Sequence, residues 1–248
     1  MRTLGIDLAA EPANTAIAVL EWRPASARVI TVEISADDAV VLRHAGAADK
    51  VGIDCPLGWP DTFVEFVCAQ RDNRFVVPNT LPSAEWRRSL AYRRTDEHVR
   101  TTLGINPLSV ATDRIGITAM RAACLQVLLA GHGHSIDRIG TGLLVEVYPA
   151  AGLKCWGLTH NRYKGNASRP ALSTLVDELK KAAPWLELGD AEALCRQSDH
   201  VLDAIIAALL ARAATLGLTT PPPPDDLHTA SREGWIAVPA CALNQLAP

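Results

Sequence analysis

The chain has 248 residues, of which 48% are hydrophobic and 21% charged, and its formal net charge is −3. This composition is typical of a globular protein that can bury a sizeable core. The negative charge argues against a protein that coats nucleic acid, although it leaves room for an enzyme with a local basic groove. The six scattered cysteines include no C-x-x-C pair, so we expect reduced thiols, no structural zinc site and a cytoplasmic protein.

Neither of the two most apolar segments has the features of an export or membrane segment. The N-terminal run is broken by Asp7, Glu11 and Pro12, whereas a secretory signal needs an unbroken apolar core. The later run Val201–Leu210 contains Asp203 and is too short to cross a bilayer. We therefore expect no association with a membrane.

The first part of the chain predicts a mixed sheet. Strands over Thr3–Leu8, Thr15–Trp22 and Arg28–Ile34 follow one another through short, turn-prone connections, which is the pattern of an antiparallel meander. A helix over Asp37–Ala48 then precedes a strand over Lys50–Asp54. A strand that returns after a helix is expected to pair in parallel with the first strand.

The rest of the chain predicts mainly helices. Residues 59–117 are irregular and rich in arginine, and we interpret them as a helical insertion within a single domain, 1–248. The later predicted elements are helices over Thr118–Gly131, Ala171–Ala182 and Ser198–Ala214, a strand over Gly142–Tyr148, and a final edge strand within residues 233–239.

Asp7 and Asp54 each end an apolar strand with the same three residues, Gly-Ile-Asp. Aspartate is uncommon in strands and is rarely buried unless it is paired. If the two strands are parallel neighbours, both carboxylates face the crevice in which open α/β sheets bind ligands. Two converging carboxylates repel each other unless a cation lies between them. The structural alternative is that each aspartate caps loop amides at its strand end.

Three further carboxylates are candidates for the same site. Glu146 is the one charge in an apolar strand, Asp203 lies among apolar helix residues, and Asp199 shares a helical face with Asp203 because it precedes it by four residues. Structural alternatives exist here too. Glu146 could face solvent on a one-sided strand, and Asp199 could be an early-turn residue that the helix dipole stabilises. Carboxylates without His or Cys partners match the oxygen ligands that Mg²⁺ or Mn²⁺ prefers.

These features resemble the family known as domain of unknown function 429, whose members are usually labelled predicted nucleases of ribonuclease-H-like fold. The similarity runs from near the first residue to the tail and is carried by Gly5-Ile6-Asp7, Gly52-Ile53-Asp54-Cys55-Pro56-Leu57-Gly58, Arg93-Arg94-Thr95-Asp96 with Arg100, Glu146-Val147-Tyr148-Pro149, Ser198-Asp199-His200-Val201-Leu202-Asp203-Ala204, and Glu233-Gly234-Trp235-Ile236.

The resemblance implies an α/β fold of ribonuclease-H-like type, in which three antiparallel and two parallel strands form a sheet with helices on both faces and an acidic site at one edge. It also implies a metal-dependent nuclease that cleaves a phosphodiester bond in DNA or RNA with Mg²⁺ or Mn²⁺. Its catalytic carboxylates would be Asp7, Asp54, Glu146 and Asp203. The first two and Asp203 are the best metal ligands, followed by Glu146 and then Asp199.

The basic residues of the insertion are candidates for contacts with a nucleic acid or nucleotide. Arg93, Arg94 and Arg100 lie close together in the sequence, and arginine binds phosphate oxygens through two hydrogen bonds. Asp96 belongs to the same predicted substrate-binding set; in the structural alternative it pairs with Arg93 or Arg100 and fixes the insertion in place. Lys164 offers a further basic group on a loop after the Glu146 strand.

Two other functions compete with nuclease activity. A phosphotransferase of the related actin and sugar-kinase fold would use a similar sheet and acidic residues, but the chain has no glycine-rich phosphate loop. A non-catalytic binding protein would keep the scaffold and neutralise its carboxylates with internal arginines such as Arg93 or Arg94.

Overall fold

A computed structural model describes residues 1–77 and 83–248 of the chain, and its strands form one mixed sheet. Within these ranges the sheet has six strands, in the order β5-β4-β1-β2-β3-β6. The strands are β1 (Arg2–Asp7), β2 (Ala16–Trp22), β3 (Ala27–Ile34), β4 (Lys50–Asp54), β5 (Leu144–Glu146) and β6 (Leu186–Glu187).

The pairing confirms the predicted combination of an antiparallel meander with parallel strands. β1 and β2 pair antiparallel, as do β2 and β3, whereas β4 is parallel to β1 and β5 is parallel to β4. β6 is parallel to β3 and was not predicted. The register places Gly5 opposite Gly52 and Asp7 opposite Asp54, so the two Gly-Ile-Asp segments lie side by side.

Ten α-helices are present in the described part of the chain and surround the sheet. They are α1 (Asp38–Ala45), α2 (Asp61–Arg71), α3 (Ala84–Ala91), α4 (Arg94–Leu103), α5 (Ile115–Gly131), α6 (Pro149–Cys155), α7 (Arg169–Ala182), α8 (Ala191–Cys195), α9 (Asp199–Thr215) and α10 (Leu227–Glu233). The predicted insertion, residues 59–117, contains α2, α3 and α4, and its residues 78–82 lie outside the described ranges. That these elements belong to one domain stays a prediction.

Two apolar cores cover the two faces of the sheet, as predicted. One face packs against α9 and α7 through a cluster that includes Leu20, Leu175 and Leu209. The other packs against α1 and α5 through a cluster that includes Ile6, Val41 and Leu125. Burial of apolar side chains on both faces is the main stabilising term of such a three-layer arrangement.

Helix α9 lies unusually close to the sheet because two strand residues facing it have no side chain. A Cβ atom built on Gly5 would lie 1.9 Å from the carbonyl oxygen of Ala204, and one built on Gly52 would lie 2.3 Å from that of Ala207. Only glycine permits such an approach of two backbones. The glycine of each Gly-Ile-Asp segment therefore determines the distance between α9 and the ends of β1 and β4.

Several predicted boundaries differ from the structure. The strand predicted over Gly142–Tyr148 is the shorter β5, and the helix predicted over Thr118–Gly131 begins three residues earlier. The tail predicted as an edge strand contains isolated bridges in place of a strand: Ile236 pairs in parallel with Glu146, and Pro239 pairs antiparallel with Thr219. In the described ranges, no helix combines the length and apolarity needed to cross a membrane.

Candidate functional site

Three aspartates from different elements converge at the carboxyl ends of β1 and β4. Asp7 and Asp54 are the last residues of these strands, and Asp203 lies in the second turn of α9. One carboxylate oxygen from each lies within 4.8 Å of the others. Asp7 and Asp203 are buried and Asp54 is partly buried. We call Asp7, Asp54 and Asp203 the aspartate triad.

The electrostatics of the aspartate triad favour a bound cation. Burial raises the pKa of Asp54 well above its ordinary value, with further upward contributions from Asp7 and Asp203. Burial also raises the pKa of Asp203 to about 6, although Lys164 acts in the opposite direction. Three buried carboxylates at this spacing are costly to ionise together, and a multivalent cation between them removes that cost.

The loop between α6 and α7 supplies two groups that hold Asp203. The Nζ atom of Lys164 lies 2.6 Å from Oδ2 of Asp203, and the hydroxyl of Tyr163 donates to Oδ1 at 2.8 Å. Burial disfavours the charged form of Lys164, but the attraction of Asp203 and Asp54 outweighs it and raises the pKa of this ammonium group. Lys164 is therefore charged and lies beside the aspartate triad.

His200 also contacts the aspartate triad and was not among the predicted site residues. Its Nδ1 atom lies 2.6 Å from Oδ2 of Asp7, and this hydrogen bond is the main reason why the pKa of His200 is raised. Residues three apart share a helical face, so the spacing of His200 and Asp203 could have predicted that His200 lies near the aspartate triad. Tyr163, by contrast, lies in a loop, where no periodicity indicates the direction of a side chain.

Asp199 lies beside the aspartate triad rather than within it. One carboxylate oxygen of Asp199 accepts a hydrogen bond from the backbone N–H of Gly165 at 3.2 Å. Gly165 directly follows Lys164, so this contact fixes the end of the loop that carries the lysine. In the described part of the chain, the group of possible ligands does not include Asp199.

Glu146 makes a buried ion pair with Arg93 instead of joining the aspartate triad. Its two oxygens lie 2.7 and 2.8 Å from the guanidinium nitrogens of Arg93, and the N–H of Leu57 donates to it at 3.0 Å. Arg93 also binds Asp96 at 2.9 Å. Burial raises the pKa of Glu146 even though Arg93 acts to lower it. This network joins the start of α4 to β5, which is the structural role considered for Asp96.

The two other arginines predicted to contact substrate pair with nearby acids. Nε of Arg94 lies 3.0 Å from Asp226, and Arg100 lies 2.6 Å from Glu97. Both pairs are partly exposed, so each is worth little to stability. Each of these arginines thus has an acidic partner within the protein, although Glu97 also pairs with Arg88. Lys164 is the one residue of the predicted substrate-binding set that contacts the aspartate triad.

A pocket of about 420 Å³ opens beside Asp54. Its volume lies in the range of small-molecule sites. Its walls come from the segment between α4 and α5, from β5 and the residues after it, and from the loop between α6 and α7. The lining residues used below are Asp54, Arg93, Pro107, Leu108, Ile115, Glu146, Tyr148, His160, Arg162, Lys164 and Ile236.

Comparison with known proteins gives one match. Neither the curated proteins nor the solved structures contain a match to the chain. The model of one protein family, described as "Protein of unknown function (DUF429)", matches residues 5–227. This range includes all three residues of the aspartate triad, the buried ion pair of Glu146 with Arg93, and the loop that carries Lys164. The match covers most of the chain, and the protein therefore belongs to the DUF429 family.

Proposed function

We propose that this protein is a metal-dependent phosphodiesterase, a nuclease of ribonuclease-H-like type, that hydrolyses a phosphodiester bond in DNA or RNA. The observation that carries the proposal is the convergence of Asp7, Asp54 and Asp203, whose ligand oxygens lie within 4.8 Å of one another. The crevice at the carboxyl ends of parallel strands is where open α/β sheets bind ligands. The resemblance to predicted nucleases of this fold supports the same reaction.

The residues present fit a hard divalent cation. The donors are carboxylate oxygens, which Mg²⁺ and Mn²⁺ prefer. Burial, and to a lesser extent the neighbouring carboxylates, raises the pKa values of Asp54 and Asp203, so a bound cation would favour their ionised form. When bound, such an ion supplies Lewis-acid activation of a water molecule and stabilisation of the leaving oxygen. Asp7, Asp54 and Asp203 would hold it.

The geometry narrows the predicted ligand set. Glu146 is held by Arg93 and Leu57, and Asp199 holds the loop that follows Lys164, so we assign neither to the metal. Lys164 lies close enough to the aspartate triad to contact a substrate phosphate. His200 holds one oxygen of Asp7 and leaves the other for a ligand. The six cysteines, all within the described ranges, are free thiols, which supports a cytoplasmic location.

The test combines metal binding with cleavage. Calorimetric titration with Mn²⁺ measures binding, and end-labelled single- and double-stranded DNA and RNA of one sequence measure hydrolysis. We expect Asp54→Asn to abolish both, because one of three charged ligands is lost. Asp190→Asn is the matched control, since Asp190 is exposed and lies just before α8, and it should bind and cleave like the wild type. Unchanged cleavage by Asp54→Asn would refute the proposal.

One observation favours a second candidate, a binding protein without metal chemistry on the same scaffold. The ammonium group of Lys164, 2.6 Å from Asp203, could be the permanent counter-charge of the aspartate triad. The arginines expected in that role, Arg93 and Arg94, pair elsewhere. The calorimetric experiment separates the two candidates: a wild-type protein that does not bind Mn²⁺ favours the second.

A further inference from the structure

The pocket beside Asp54 has a buried inner wall. Arg93, Glu146 and Ile236 line it, and all three are buried. The buried ion pair of Arg93 with Glu146 therefore forms part of this wall. The volume of about 420 Å³ is that of a small-molecule site, which suits one nucleotide. A groove for a continuous nucleic acid would instead follow the backbone over several nucleotides.

The wall of the pocket has an apolar part that suits one flat, weakly polar group. Pro107 and Leu108 contribute to it from the segment between α4 and α5, Ile115 from the start of α5, and Tyr148 from the N-cap of α6. Small-molecule sites usually combine such an apolar lining with a few polar groups that fix the orientation of the ligand. Leu108 is 56% exposed, so apolar surface is available at this edge of the pocket.

Arg162 is a cation on this wall that has no partner in the described part of the chain. It is exposed, lines the pocket and is not among the residues with further interactions. Its φ of 58° is in the left-handed region, which is uncommon for a residue with a side chain. It lies two residues from Lys164, which contacts the aspartate triad. The arginines predicted to contact substrate, Arg93, Arg94 and Arg100, are by comparison paired with acids.

From this arrangement we infer that the pocket binds the terminal nucleotide of a phosphodiester. Arg162 binds a phosphate oxygen of this nucleotide, and its base or sugar packs against the apolar wall. The inference rests on the proposed function and specifies its substrate: the bond cleaved lies next to an end. An attacking water oxygen bonds to phosphorus, the ester P–O bond breaks, and the leaving oxygen takes a proton. The products are a phosphate monoester and an alcohol.

Three substrates separate an end-directed site from an internal one. With Mn²⁺, we expect hydrolysis of a linear single-stranded oligonucleotide from its end and of the p-nitrophenyl ester of thymidine 5′-monophosphate, a small nucleotide diester. Circular single-stranded DNA of similar composition should stay intact. Cleavage of the circle at the rate of the linear strand would overturn the inference and leave the proposed function standing. Hydrolysis of the small ester alone would identify a small nucleotide diester as the substrate.

Binding provides a readout that does not depend on turnover. Calorimetric titration with thymidine 5′-monophosphate should show binding to the wild type, and Arg162→Gln should weaken it about tenfold, since a charge-assisted hydrogen bond is lost. Arg28→Gln is the matched control, because Arg28 is exposed on β3, near the opposite edge of the sheet. Mn²⁺ binding and the thermal midpoint should be unchanged in both variants.

The outcomes of these experiments are distinct. The proposed function is refuted if the wild-type protein neither binds Mn²⁺ nor hydrolyses any of these substrates. Wild-type protein that binds Mn²⁺ but not thymidine 5′-monophosphate refutes the assignment of the pocket. Equal affinities of Arg162→Gln and Arg28→Gln for the nucleotide refute the role of Arg162.

Discussion

Charged residues near the site fall into two groups that differ in what neutralises them. Glu146 and Asp96 are neutralised by the buried guanidinium group of Arg93. Asp54 and Asp203 share one ammonium group, that of Lys164, which is about half exposed. An internal counter-charge fixes the structure, whereas a negative site with too little positive charge can attract a cation from solution. The aspartate triad is therefore the part of this acidic region to which we assign the metal.

Replacing Glu146 distinguishes a structural carboxylate from a ligand. We expect Glu146→Gln to destabilise the protein by about 3 kcal/mol, because removing one partner of a buried ion pair leaves the other partly uncompensated. Mn²⁺ affinity should be retained. Chemical denaturation measures the first effect and calorimetry of the folded variant the second. If the variant is stable but no longer binds Mn²⁺, Glu146 is a ligand after all.

At the scale of elements, the strand-end aspartates and the approach of α9 depend on the same short segments. Gly5 and Asp7 are two residues apart and thus face the same side of β1, as Gly52 and Asp54 do on β4. The glycines allow α9 to contact the sheet, and the aspartates then meet Asp203. Gly-Ile-Asp thus combines a close-packing residue with a candidate metal ligand.

A side chain at position 52 should separate the helix from the sheet. In Gly52→Ala, the new Cβ atom would lie 2.3 Å from the carbonyl oxygen of Ala207, so α9 must move. We expect a loss of about 1–3 kcal/mol or more in the free energy of unfolding, together with weaker Mn²⁺ binding because Asp203 moves with α9. Denaturation and calorimetry measure the two effects.

The matched control is Gly131→Ala at the end of α5. A Cβ atom there would have no neighbour within 4 Å, so stability and metal binding should be unchanged or slightly improved. Equal behaviour of the two variants would show that α9 does not need the glycine at position 52 to reach its place.

The sequence was informative where the signal was local and periodic. The strands of the meander and the parallel return of β4 follow from short-range pattern, and this pairing alone places Asp7 beside Asp54. The partner of Glu146 could not be identified in this way, because Arg93 is 53 residues away and lies in an irregular segment. Arg162 and Lys164 lie in a loop, which has no periodic pattern. β6 has only two residues and is too short to show one.

For the whole molecule, the aspartate triad links global stability to pH and to metal. Asp203 has a pKa of about 6 in the folded protein and an ordinary carboxyl pKa near 4 when unfolded. The folded protein binds the extra proton between these values, so the stability of metal-free protein falls as pH rises from about 4 to 6. For Asp203 alone this loss is about 3 kcal/mol, and Asp54 acts in the same direction.

His200 contributes over a different pH range. Its pKa is raised by the hydrogen bond to Asp7, so its stabilising effect is present below its ordinary pKa of about 6.5 and is lost above that. The interval from pH 4 to 6 therefore reports on the carboxyl groups. Asp203→Asn, which cannot titrate, should therefore make the fall in stability of metal-free protein over this interval less steep, and the part that remains reports on Asp54.

Adding Mn²⁺ should reverse the slope. A bound cation favours the ionised carboxylates in the folded state only, so their folded pKa values fall below those of the unfolded chain and stability then rises with pH. At a metal concentration 100 times the dissociation constant the gain is about 2.7 kcal/mol. Urea denaturation with EDTA and with Mn²⁺, at intervals from pH 4 to 7, measures both slopes. Identical slopes would mean that no metal binds the aspartate triad, because a ligand that excludes protons from buried carboxylates must change the pH dependence of folding.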